Sequence, residues 1–346
     1  MAEPNATSTP ETAVIQVTSL LGALMLRRTC FDQYQQSVLL AQGAAQDTIL
    51  VDAKRLAHAL KGMSGWATIT INDEQLVISA TGRTVRIRTA DLVFPKWPPF
   101  ESTGPKAVLG ASELAWALTS VGTDDTLPQL TAVSFDDGAM VTTDRFRLTR
   151  IKYAESGFTA PVPSAALRAF AKNEGIVYVE PGKCSEEVDG WGSNPWVELT
   201  AGVRTVITVT GEGQFPQWKR LIPVDAPVRL MLHRGDLLKA VDGDEITITL
   251  MPTGKNKTTM TVRSVSDGME TEQEVKLIQT NRYEPEEPFT VTLRSKYVKD
   301  CMRGVGSGMV LFDASAPDKP VVFQDVAEKQ LHIIMPVRPS RQAKAS

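Results

Sequence analysis

The tetrapeptide Phe94-Pro95-Lys96-Trp97 returns as Phe215-Pro216-Gln217-Trp218, and a weaker echo, Met335-Pro336-Val337-Arg338, stands near the end of the chain. The spacing is roughly 120 residues each time, about the size of one domain. A repeat of that length is too long for a solenoid unit, so each copy is expected to own a core. The chain therefore reads as three tandem domains of one kind, at 14–104, 105–224 and 225–338, with tails at 1–13 and 339–346.

With 346 residues, 42% of them hydrophobic, there is apolar material for two or three cores. The longest apolar run, Val14 to Leu26, is broken by Gln16, Thr18 and Ser19 and followed by Arg27-Arg28. It is too short to span a bilayer and reads as two strands with a turn. Glu3 stands where a secretion signal would carry a basic residue, so residues 1–13 read as a disordered tail. Cys30, Cys184 and Cys301 are far apart and form no CxxC pair, which points to a reducing, cytoplasmic setting without disulfides or structural zinc.

Period-two alternation dominates. It marks strands at Ala67–Ile71, Thr84–Arg88, Thr205–Thr210, Glu245–Leu250 and Thr258–Arg263. Helical patterns are few and short: Asp52–Met63, Ala111–Val121, Ser164–Asn173, Gly235–Val241 and Ser295–Arg303. The expected class is strand-rich α+β. The helices repeat as well, since Val108–Leu114 aligns with Leu230–Leu237, and Leu50–Leu56 aligns with Val162–Leu167 and Val291–Tyr297. By this alignment the first copy lacks the opening strand and helix of the other two.

The formal net charge is −3, yet the second helix of each copy is positive. Lys54, Arg55 and Lys61 fall on the first, Arg168 and Lys172 on the second, and Arg294, Lys296, Lys299 and Arg303 on the third. Solvated helix faces are often Lys-rich, but agreement across three repeats favours a basic surface for phosphates. Catalytic sets are poor by comparison. His58, His233 and His332 occupy unrelated repeat positions, and each reads as exposed or satisfied. Gly254-Lys255 lacks the rest of a P-loop, and Gly304 to Gly308 follows a helix where a dinucleotide fingerprint precedes one. No enzyme activity, metal or cofactor is expected.

Two loops complete the reading. Thr143-Asp144-Arg145-Phe146-Arg147-Leu148 sets arginines beside an aromatic, and Gly213 to Pro223 is a proline-bounded connector. With Ile333 to Arg338 they could line an apolar cleft with a basic rim, a groove for a short peptide.

At these residues the chain resembles the bacterial-type replicative sliding clamp, the beta subunit of DNA polymerase III. The first loop is similar to that family's T-D-x-aromatic-R-L segment, Phe215-Pro216 through Pro223 to its linker between the second and third domains, and Pro320 to Arg338 to its closing strands. The resemblance implies a DNA clamp fold: a head-to-tail homodimeric ring, helices lining the inner face around double-stranded DNA, bound without sequence preference. It implies that Lys54, Arg55 and Lys61 face DNA. It also implies a pocket for the short motif of DNA polymerase and clamp loader. That pocket is expected at Leu130, Thr143, Arg145, Phe146, Arg147, Leu148, Pro216, Arg220, Leu221, Tyr297, Pro320, Ile333, Met335, Pro336, Val337 and Arg338. Its apolar floor is expected to supply most of the binding, with Arg147 and Arg220 orienting the peptide. The edge strand Thr84–Arg88 is expected to pair with the third domain of the next subunit.

Departures from the family pattern keep an alternative open. Besides the missing first helix, the opening helix of the third domain is short, and Ser164 and Ala165 stand where relatives carry basic residues. The alternative is a clamp-fold adaptor or decoy that binds polymerase peptides without closing around DNA.

Overall fold

The computed structural model describes residues 14–20, 23–30, 33–41, 47–72, 74–80, 82–136, 138–153, 158–172, 175–184, 195–211, 213–223, 226–254, 257–266, 268–278 and 287–337. The expected tails and Arg338 lie outside them. Among the described residues, strands joined by tight turns dominate, with six short α-helices. These are α1 (Ala53–Leu60), α2 (Ala111–Ala117), α3 (Pro128–Thr131), α4 (Ser164–Arg168), α5 (Arg234–Ala240) and α6 (Ser295–Gly304). The fold class is the expected α+β.

The chain forms two compact units, residues 1–106 with 176–210, and residues 107–175 with 211–346. In the first unit an antiparallel sheet runs in the order Thr48–Asp52, Val14–Leu20, Ala23–Cys30, Gln33–Leu40, Arg204–Val209, Trp196–Ala201, Ile176–Cys184, Phe100–Ser102. The run Val14 to Leu26 is thus two strands in register, with Val17 opposite Leu26. A separate meander, Thr68–Asn72, Gln75–Ala80 and Arg83–Arg88, forms the second sheet. The core beneath α1 gathers Val17, Ile49, Val51, Leu56, Ala59, Leu76, Ile78 and Ile87. Asp52 caps α1, its Oδ1 accepting from the Arg55 N–H at 2.7 Å. The helix stops at Leu60, so Lys61 sits in extended backbone just past the end.

The second unit holds a larger antiparallel sheet, ordered Ala160–Pro163, Ala132–Asp136, Ala139–Thr143, Arg147–Lys152, Gln330–Ile334, Val321–Asp325, Met309–Ala314, Val228–His233, Leu277–Ile278. Its central seam joins the second and third sequence repeats, with Leu148 opposite Ile333 and Thr149 opposite His332. A four-stranded sheet, Met269–Val275, Lys257–Ser266, Glu245–Gly254 and Phe289–Arg294, completes the unit. Alternation does what the sequence promised: Ile246, Ile248 and Leu250 are buried and the residues between them are not.

One glycine is required by packing. A Cβ on Gly304 would fall inside the Trp116 indole, which closes over the end of α6 and donates its N–H to the Asp300 carbonyl at 3.1 Å.

Candidate functional site

The connector at 213–223 is built around Trp218. That side chain is buried and opens a 3-10 turn, Trp218–Leu221. Its indole N–H donates to Asp136 Oδ2 at 2.9 Å, and its ring joins Val141, Leu148, Val322, Leu331 and Ile333 in one apolar cluster. Phe215 and Ile222 close the cluster from either side. A cavity of about 500 Å³ opens beside the connector, bounded by Pro161, Phe215, Pro216 and Trp218 and by the charged groups of Asp136 and Arg220. Its apolar walls and few polar groups suit an extended peptide segment or a small ligand.

Of the expected pocket residues, Pro216 and Arg220 line this cavity. Leu148 and Ile333 lie in the cluster under Trp218, as floor. Phe146 and Met335 are exposed neighbours, the Met335 N–H donating to the Phe146 carbonyl at 2.8 Å. Leu221 is exposed, Pro336 and Val337 are half-buried, and the Val337 N–H donates to the Thr292 carbonyl at 2.8 Å. Leu130 is buried on α3, and its carbonyl accepts from the Gly122 N–H. Pro320 is half-buried immediately ahead of Val321–Asp325.

Arg147 is placed otherwise than as a peptide ligand. Only 6% exposed, it donates to Asp144 Oδ2 at 3.0 Å, to Asp300 Oδ2 at 2.7 Å and to the Thr119 carbonyl. Its guanidinium also lies 4.5 Å from the Tyr297 ring centroid. Those contacts fix the turn from below. The buried Thr143 hydroxyl donates to the Arg147 carbonyl at 2.7 Å, and Arg145 at the tip takes φ 78°, a left-handed conformation costly for a side chain that is not glycine. Arg145 is exposed, its guanidinium 3.8 Å from Asp124.

Sequence reading missed Asp136 and Pro161. Asp136 looked like a hairpin residue, and only the fold brings it under Trp218. The repeated tetrapeptide did flag Trp218, although not its burial.

The basic positions are exposed with two qualifications. Lys54, Arg55 and His58 on α1 share a cavity of about 610 Å³ with Arg86 and Arg88, and Lys61 is exposed beyond the helix. Arg168 ends α4, but Lys172 is not on a helix as expected, because the chain turns after Arg168 to bury Phe170. Arg294, Lys296 and Arg303 are exposed on or beside α6. Lys299 is partly covered and lies 3.7 Å from Asp242. Asp300, the acid of α6, is spent on Arg147, which leaves the outer face of that helix cationic.

The second unit also encloses a hydroxyl–imidazole row. Ser120 Oγ lies 2.6 Å from Thr149 Oγ1, which is 2.7 Å from His332 Nδ1, and the His332 ring stacks on Trp116 at 5.8 Å. All three polar residues are fully buried, so no substrate reaches them. Burial, reinforced by the Arg147 charge, lowers the His332 pKa from 6.5 to about 3. His332 Nε2 has no partner among the described residues, so this histidine is only half satisfied.

Antiparallel sheets of this order, with paired short helices, define the DNA clamp fold. Solved sliding clamps are similar over nearly the whole chain. The DnaN sliding clamp (DNA polymerase III subunit beta) of Bartonella birtlesii, solved with griselimycin bound, matches at a TM-score of 0.75 and 18% identity, over 96% of this chain and 93% of that one. The beta subunit of Streptococcus pyogenes DNA polymerase matches at 0.75 and 14%, over 98% and 94%. The DNA polymerase III beta subunit of Thermotoga maritima matches at 0.74 and 16%, over 97% and 94%. No family model and no curated protein matches the sequence. No helix among the described residues is long and apolar enough to cross a membrane.

Proposed function

We propose that the chain is a sliding clamp: two copies close head to tail around duplex DNA and tether a polymerase through the cavity at the 213–223 connector. The observation that carries the reading is a clamp fold over nearly the full length, combined with exposed cations on α1 and α6 in a chain of net charge −3. Contacts to phosphates without base readout allow sliding, and closure prevents escape sideways. The clamp itself makes and breaks no bond. The division into three domains at 14–104, 105–224 and 225–338 belongs to the same reading, supported by the repeated order of strands around α1, α4 and α6.

Two sheet edges supply a basis for closure. In Arg83–Arg88 the core-facing residues are Val85 and Ile87, so Thr84, Arg86 and Arg88 face outward. The free edge Met269–Val275 turns Val275 inward and presents Glu270, Glu272 and Glu274 on its outer face. Joining these edges between two copies continues a sheet and sets arginines against glutamates. Glu270 is already bonded to Arg263 at 2.6 Å, so Glu272 and Glu274 are the acids at hand.

Light scattering over a concentration series tests closure. The expected mass is twice the 37.7 kDa chain. A persistent monomer would favour the adaptor that holds partner peptides without encircling DNA. For the cavity, griselimycin is the probe, and Arg220→Ala should weaken its binding about tenfold, as removing one good polar interaction does. Unchanged binding would move the site away from the connector.

A further inference from the structure

The meander after α1 has two open edges of opposite character. Arg83–Arg88 carries three arginines, the usual protection of a free strand. Thr68–Asn72, at the other side, reads Thr-Ile-Thr-Ile-Asn, has no charge, and among the described residues pairs only with Gln75–Ala80. Apolar groups crowd the same end: Ile69 is 37% exposed, Leu60 44% and Trp66 89%. An uncharged, β-branched edge beside an exposed tryptophan is an invitation to strand pairing.

The chain contains its own pattern for the missing cover. In the third repeat the strand after α6, Met309–Ala314, is closed on its outer side by Val228–His233, with Leu230 opposite Phe312 and Leu232 opposite Val310. Helix α5 follows at once and buries Leu237 and Ala240. Thr68–Asn72 occupies the equivalent place after α1 and has no such neighbour among the described residues.

We propose that this edge receives an extended segment of another protein, followed by a short amphipathic helix, as Val228–Ala240 covers Met309–Ala314. The strand would add by main-chain hydrogen bonds, with branched apolar residues at alternate positions meeting Ile69 and Trp66. Lys61 is exposed at the same end, its ammonium without an acid partner among the described residues, so the incoming segment carries an acid there. The chain's own first 13 residues do not suit the edge. They hold Pro4 and Pro10 and no apolar residue larger than alanine after Met1. The proposal is independent of ring closure, which uses the opposite edge.

The probe is a fluorescein-labelled peptide with the sequence of residues 226–241, titrated into the full chain. Hydrogen exchange is followed at 68–72. The expected result is fast exchange in the chain alone, slowed about tenfold or more by the peptide, with 83–88 unchanged. Trp66→Ser, which cannot disturb the core, and Ile69→Lys should each weaken binding about tenfold. Three results would overturn the proposal: no protection at 68–72, protection confined to Met309–Ala314, or protection that grows with chain concentration without peptide, which would assign the edge to a second copy.

Discussion

Arg147 in the second repeat and Asp300 on α6 form a buried ion pair at 2.7 Å that pins the Asp144–Phe146 turn to the last repeat. Removing Arg147 strands Asp144 and Asp300, each about one-fifth exposed, with unpaired charge. Arg147→Ala should therefore cost about 2–4 kcal/mol, somewhat less than a fully buried pair. A shifted urea midpoint checks this, and Arg147→Lys, which lacks the planar fork, should recover less than half of the loss.

Trp218 separates packing from polarity at the connector. Trp218→Phe keeps most of the apolar packing with Leu148 and Ile333 but loses the N–H bond to Asp136, so about 1 kcal/mol is expected. Trp218→Ala opens the cluster and should cost about 3–5 kcal/mol. Thermal unfolding of the two variants distinguishes these effects.

Acid should weaken the second unit through His332. Its folded pKa, about 3, lies below its ordinary 6.5, so the unfolded chain takes up the proton first. The contribution is complete above pH 6.5 and falls as pH drops toward 3, reaching a loss of about 2 kcal/mol near pH 5. His332→Gln should remove that slope. Equal pH dependence of the urea midpoint in both chains would contradict it.

Gly304→Ala places a methyl group in the Trp116 ring, which is itself held by Asp300 and His332. Overpacking of this kind costs about 1–3 kcal/mol or more, and loss of the Trp116–His332 stacking should appear in near-ultraviolet circular dichroism.

Charge on α1 should set DNA affinity without setting sequence preference. Replacing Lys54, Arg55 and Lys61 by Gln should flatten the dependence of log affinity on log salt by about 0.9 for each phosphate that is no longer neutralised. Lys183→Gln, a cation already paired with Glu101 at 3.5 Å, should change it little.

Much of this architecture was legible in the sequence because strands announce themselves at period two. Glu245 to Leu250 and Thr84 to Arg88 are such cases. The repeated tetrapeptide located a real structural centre at Trp218. What the sequence could not give was partnership. Arg147 read as a basic rim residue, since nothing local reveals Asp300, 153 positions away. Lys172 read as helical because the pattern after Arg168 stays compatible with a helix, and only burial of Phe170 turns the chain. The exposed edge at Thr68 to Asn72 is likewise a property of what lies beside the strand, not of its residues.

Encirclement is tested most directly on linear duplex with biotinylated ends. The chain is allowed to thread on, the ends are blocked with streptavidin, and salt is raised until phosphate binding fails. A closed clamp is expected to stay on the blocked DNA and to leave when an internal restriction cut opens it. Release at the same rate from cut and uncut DNA would contradict the account.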